Sequence, residues 1–168
     1  PDSPLNLQFV IDAFASKDTM KKNPNIDLRF NSILIRRGNF RFDVESEAQT
    51  PGKFNAKHVD IKNLSAKISM KAFNKDSLNA NIKKMSFDEA SGFTLNKLSM
   101  NIIGNRDSTF INNFEIKLPE TDLKISKARI DMREINNASE LLNHAPLALN
   151  ISPSQICLKD LSSFVPAF

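Results

Sequence analysis

The sequence predicts a mainly β protein, a curved antiparallel meander with a short N-terminal helix and a small helical element near the C-terminus. Three observations predict it. From Ile26 to Met132 apolar residues recur at every second position, the period of a strand with one buried face. In segment after segment a two-residue break interrupts that alternation and reverses its parity. Polar pieces of turn length separate the segments, so neighbours in sequence are able to pair as antiparallel neighbours in space.

The elements follow in order. Ser3 then Pro4 reads as an N-cap and a first helical residue, and Leu7, Val10, Ile11 and Phe14 share a helical face, so residues 4–16 are expected to be an amphipathic helix. Residues 17–25 are polar, contain Pro24 and read as a loop. Ile33 and Ile35 alternate before Arg37-Gly38-Asn39, and Phe40, Phe42 and Val44 alternate after it. A tight turn at Gly38-Asn39 would pair Ile35 with Phe42 and Ile33 with Val44, with Gly38 as the structural turn residue at positive φ. Residues 45–58 read as a long loop.

The break then recurs. Val59 and Ile61 precede Leu64, Ala66, Ile68 and Met70; Ala80 and Ile82 precede Met85 and Phe87; Phe93 and Leu95 precede Leu98, Met100 and Ile102. Thr109 and Ile111 precede Phe114, Ile116 and Leu118; Leu123 and Ile125 precede Ala128, Ile130 and Met132; Leu28 and Phe30 precede Ile33 and Ile35. A parity slip turns side chains to the wrong face unless the strand bulges there, so its recurrence predicts a sheet that curves along a common line. Residues 26–132 are the expected meander, within one segment spanning 1–168. In the tail, 138–168, residues 138–143 and 160–164 suggest helical turns, with Asp160 as an N-cap, around the alternating Leu147, Leu149 and Ile151.

Chemistry is sparse. His58 and His144 each lack a local partner, and the lone Cys157 has no His beside it, so it reads as structural. Asp43, Glu45 and Glu47 alternate as an outward acidic strand edge, with cation binding as the rival reading. No phosphate loop, nucleophile elbow or HExxH run occurs. The expectation is a non-enzyme with no metal and no cofactor. The net charge of +4 and pI near 9.3 permit an anionic partner, although lysines on solvated strand faces give the same balance. Thirteen Phe stand beside no Trp and no Tyr, so the aromatic bulk has no polar handle. Lys62, Lys67 and Lys71 oppose Ile61, Ile68 and Met70 by parity, which separates charge from stacking surface and argues against nucleic acid as a partner.

What the pattern does produce is one apolar face. Leu64, Ile68, Leu98, Met100, Ile102, Phe114, Ile116, Leu118 and Ile130 are expected to share it on the concave side. It is either a core closed by other elements or an open surface that holds apolar ligands.

The runs PLNLQFVIDAF at 4–14, ILIRRGNFRF at 33–42 and NLSA at 63–66 resemble the AsmA and TamB superfamily. FDEASGF at 87–93 and SPSQICLKDL at 152–161 are similar to its TamB-like members of Bacteroidetes type. The resemblance implies an internal segment of a long periplasmic protein, anchored in the inner membrane by a part outside this segment. It implies a taco-shaped β-groove lined with apolar side chains, which takes phospholipid acyl chains and moves phospholipid between the inner and outer membranes. It further implies an outer-membrane assembly partner, engaged through regions outside the segment, and no catalytic residues. The rival expectation is a scaffold that assembles outer-membrane proteins by strand addition, its apolar face only a core.

Overall fold

The computed structural model describes residues 27–74, 76–133 and 146–164. They form one antiparallel sheet: β1 Phe30–Asp43, β2 His58–Asn74, β3 Ser77–Glu89, β4 Thr94–Asn105, β5 Ser108–Lys117, β6 Asp122–Asp131 and β7 Leu147–Ile151. The strand order is the sequence order, β1 to β7, and all extensive strand contacts lie between sequence neighbours. The sheet is therefore open and curved, with β1 and β7 as its edges. An antiparallel meander is expected over 26–132, and the described strands β1 to β6 form one between Phe30 and Asp131. Among the described residues the only helical turn is a 3-10 turn, Leu158–Leu161, so the tail's expected second helix is this shorter element. Its N-cap is Cys157. Asp160 lies inside the turn, and its carboxylate accepts the Glu120 backbone N–H at 2.9 Å instead of capping. The helices expected at 4–16 and 138–143 fall outside the described residues.

Asparagines shape the tight turns. Asn74 Oδ1 accepts the N–H of Asp76 at 3.0 Å, and Asn105 Oδ1 accepts those of Asp107 and Ser108, both at 2.9 Å. These side chains mimic a backbone turn and let β2–β3 and β4–β5 reverse in two residues.

The parity slips are bulges. Arg37, Asn63 and Asn113 have φ of 51°, 56° and 52° and sit in the breaks of β1, β2 and β5. A left-handed residue absorbs one position of the strand, so the apolar side chains on either side return to the same face. Between β1 and β2, register shifts fall between Phe30 and Ile33 and on either side of Gly38. Between β5 and β6 both strands advance by three together, from Ile111 opposite Ala128 to Phe114 opposite Ile125, and no shift results.

One expectation is corrected. Residues 33–44 are not a hairpin turning at Gly38. β1 runs through, and Gly38 lies opposite Leu64, with Ile35 opposite Ala66 and Phe42 opposite Val59. The left-handed residue is Arg37, one position earlier, because the chain needed a bulge here and not a reversal. Arg37 N–H points toward Ser65 Oγ at 3.4 Å, a partner on the neighbouring strand.

Candidate functional site

The register builds two faces row by row. Phe30, Met70, Ala80, Ile102, Ile111, Ala128 and Leu149 are successive partners across all seven strands. A second row links Ile35, Ala66, Met85, Leu98, Ile116 and Leu123. Six interstrand steps of about 4.8 Å make the longer row roughly 29 Å of uninterrupted apolar surface. The opposite face carries the matching polar row Ser69, Asn81, Asn101, Asn112, Lys127 and Asn150. Side chains directly opposite across a strand pair share a face, so each row is a contact line and not merely a pattern.

The predicted residues come together on the apolar face. Leu98 faces Ile116, Ile102 faces Ile111, Met100 faces Ile82, Ile68 faces Ile33 and Ile82, Phe114 faces Ile125, and Ile130 faces Leu147. Leu64 lies opposite Gly38. Leu118, one residue beyond β5, is buried; the other eight are half-buried. Sequence reasoning left both ends of this face out of the site. Ile33 extends it at the β1 edge, and Leu147, Leu149 and Ile151 extend it at the β7 edge, with Ile151 61% exposed.

Among the described residues no second layer packs on this face. The buried apolar residues are Ala66, Ala80, Leu95, Leu118 and Ala128, and no large side chain is fully buried. Three of those five are alanines, small residues shielded by longer neighbours on the same rows. A closed core of this size would hide several Leu, Ile or Phe completely.

One side of the face has a wall. After β7 the chain runs across the strand ends where the β1–β2, β3–β4 and β5–β6 connections lie. Asp122 and Gln155 exchange backbone hydrogen bonds at 2.9 and 2.8 Å, and Cys157 N–H donates to Thr121 Oγ1 at 3.0 Å. Lys159 pairs with Glu120 at 3.1 Å. Farther on, Phe54 N–H donates to the Ser163 carbonyl at 2.8 Å and Lys53 Nζ to that of Ser162 at 2.8 Å. Phe164 then sits between Phe54 and Phe93, with ring centroids 5.1 and 5.0 Å away, and Phe93 leans on Phe87 at 6.0 Å. Phe87 belongs to the apolar face, so the wall is continuous with it. The Phe54–Phe164 contact joins residues more than a hundred positions apart and left no local signal in the sequence.

At the same rim His58, Asp43, Arg41, Lys53, Asp60 and Glu89 line a cleft of about 240 Å³. His58 is not isolated, as its surroundings in sequence suggested; its partner Asp43 stands opposite it on β1. Glu89 is buried, and its carboxylate accepts the backbone N–H of Ser91 at 2.8 Å and of Asp60 at 3.4 Å. Arg41 and His58 both pair with Asp43 here, and among the described residues no cluster of acids, His or Cys is able to hold a metal ion.

No protein-family model, no curated protein and no solved structure matches this chain.

Proposed function

We propose that the chain is a segment of a bridge-like lipid-transfer protein, in which acyl chains lie on the apolar face while head groups stay in water. The observation that carries this reading is the pair of apolar rows that cross the sheet, one of them from edge to edge, with no covering layer among the described residues. Such a path needs no bond chemistry. It lowers the cost of exposing each CH₂ to water, about 0.8 kcal/mol, at every step along the rows. The direction of the rows supports a path across the strands. The apolar side chains reach both edge strands, so the surface is able to continue into any sheet that pairs with β1 or β7. The aromatic wall adds apolar surface along that flank.

The same reading places the protein in the periplasm, between an inner membrane that anchors it elsewhere in the chain and an outer membrane that receives lipid. A second reading rests on the edges themselves. Among the described residues β1 and β7 each have a strand partner on one side only, and such edges template incoming strands. An assembly scaffold would use them without using the apolar face.

Purification from lipid-containing cells followed by extraction and mass spectrometry separates the two. Phospholipid bound to the folded chain, and taken up again after delipidation, supports the transfer segment. Capture of a strand-forming peptide by chain that takes up no lipid supports the scaffold and removes the first reading.

A further inference from the structure

On the polar face, β2 and β3 set Lys67 directly opposite Lys84. Like charges directly opposite across an antiparallel pair are destabilising. A second such pair, Lys97 opposite Lys117, joins β4 to β5, but there the acids are in place. Glu115 reaches both lysines, and Asp122 lies 3.0 Å from Lys117. The ammonium of Lys97 foremost holds the Glu115 carboxyl below the usual carboxylate range, and that of Lys117 does the same for Asp122.

Around Lys67 and Lys84 the described residues supply no such acids. Neither forms a salt bridge with a described acid, and neither do Arg36, Lys71 or Lys83, all of them exposed. Asp88, farther along β3 on this face, is engaged by Asn63 at 2.8 Å and Thr94 at 3.3 Å. Lys67 and Lys83 border one shallow groove. Leu34, the β1 partner of Lys67, stands 54% exposed among the cations. The Lys97–Lys117 pair is thus neutralised within the chain, and Lys127 and Arg129 on β6 lie over the Phe110 ring. Arg36, Lys67, Lys71, Lys83 and Lys84 have neither kind of partner among the described residues, and an exposed apolar side chain stands among them.

We propose that the polar face of β1–β3 docks on an anionic phospholipid surface. Lysines predominate in the patch, and an ammonium is a compact point charge that makes no demand for a fixed fork of acceptors. That suits a fluid head-group layer better than the set carboxylate geometry of a protein partner. An exposed Leu beside lysines is also the composition of a surface that rests at the head-group boundary. The docking face and the apolar face are opposite sides of one sheet, so this inference stands without the lipid-transfer reading.

The test is co-sedimentation of the whole chain with vesicles of phosphatidylcholine alone, or of phosphatidylcholine with phosphatidylglycerol. Binding should appear only with the anionic vesicles and weaken as salt rises. Each lysine near such a surface contributes about fivefold, so Lys67→Gln with Lys84→Gln should lower binding at least about tenfold. Lys97→Gln with Lys117→Gln removes the same charge and should leave binding nearly unchanged. The first pair should also unfold at the same or a higher urea concentration than the parent, because the opposed charges are gone. Equal binding to both vesicles, equal loss from the two pairs, or a lowered urea midpoint for the first pair would overturn the proposal. So would capture of polyglutamate or an oligonucleotide by chain that ignores the vesicles. Association through the apolar face would show on phosphatidylcholine alone and resist salt, so the two readings fail separately.

Discussion

His58 Nδ1 lies 3.0 Å from Asp43 Oδ1, its partner across the first strand pair, while Nε2 lies 2.9 Å from the carbonyl oxygen of Glu47. Both neighbours are acceptors, so the protonated ring makes two bonds and the neutral ring makes one. The pair closes the base of the 44–57 loop, which carries Phe54 to Phe164 in the wall. Asp43 also takes Arg41. His58 first, and Arg41 second, hold its carboxyl below the usual range.

The acid limb of stability should therefore depend on Asp43. Its folded value is depressed, so its contribution is complete above the unfolded value of about 3.9 and disappears as pH falls through the folded one. Asp43→Asn should flatten the loss of stability in that window, with the parent falling more steeply. Urea unfolding at a series of acid pH values checks it. Parallel curves for parent and variant would show that this carboxylate gains nothing from its partners.

Two glycines should answer a methyl group differently. A Cβ on Gly104 would meet Thr109 Oγ1 at 2.7 Å, with Leu78 Cβ at 3.6 Å on its other side. Gly104→Ala should cost roughly 1–3 kcal/mol, and Thr109→Ala in the same chain should recover part of it. At Gly38 the Cβ would meet the Ile35 Cγ2 methyl at 3.0 Å, with Leu64 no nearer than 3.7 Å, and its φ is not in the left-handed region. Gly38→Ala should cost less than about 1 kcal/mol. A larger loss at Gly38 than at Gly104 in urea unfolding would contradict the pairing of Gly38 with Leu64 and of Gly104 with Thr109.

The bulge in β5 should depend on its left-handed residue. Asn113 is exposed, with φ of 52°. Asn113→Val places a β-branched side chain there and should cost roughly 1–3 kcal/mol, while Asn113→Gly should be tolerated or stabilise slightly. Chemical denaturation of both variants reads the difference. Equal losses would mean that the slip between Ile111 and Phe114 is accommodated elsewhere.

The bulges were the most legible part of the fold. The two-residue breaks at 62–63 and 112–113 each mark a strand that slips parity, and Asn63 and Asn113 in them tolerate the left-handed conformation that the slip needs. The face shared by Leu98, Met100 and Ile102 was legible for the same reason, because alternation alone assigns it. The interruption at Arg37-Gly38-Asn39 was legible, but its turn residues read as a reversal and not as a bulge. Pairing with β2 decided it. The wall was not legible at all. Phe54, Phe93 and Phe164 meet through tertiary contact between separate connections, and no period links them.

The decisive residues for the apolar face are Met100 and Phe114. Met100 faces Ile82 and Phe114 faces Ile125, near the middle of the sheet, and both are half-exposed. If this face is an open path, a carboxylate at either position reaches water by turning outward, and the fold survives. If it is a closed core, Met100→Glu or Phe114→Glu buries an unpaired charge and should cost well over about 3 kcal/mol, enough to unfold a chain of ordinary stability. We therefore expect Met100→Glu to remain folded by circular dichroism and to lose lipid crosslinked from a photoreactive residue at Ile102, its neighbour on the same face. Asn101→Glu on the opposite face, where Asn101 meets Asn112, should leave crosslinking unchanged. A folded Met100→Glu that crosslinks lipid as the parent does would remove this row from the path. An unfolded one would make the face a core, and the edge strands β1 and β7 would then be the better guide to what the sheet does.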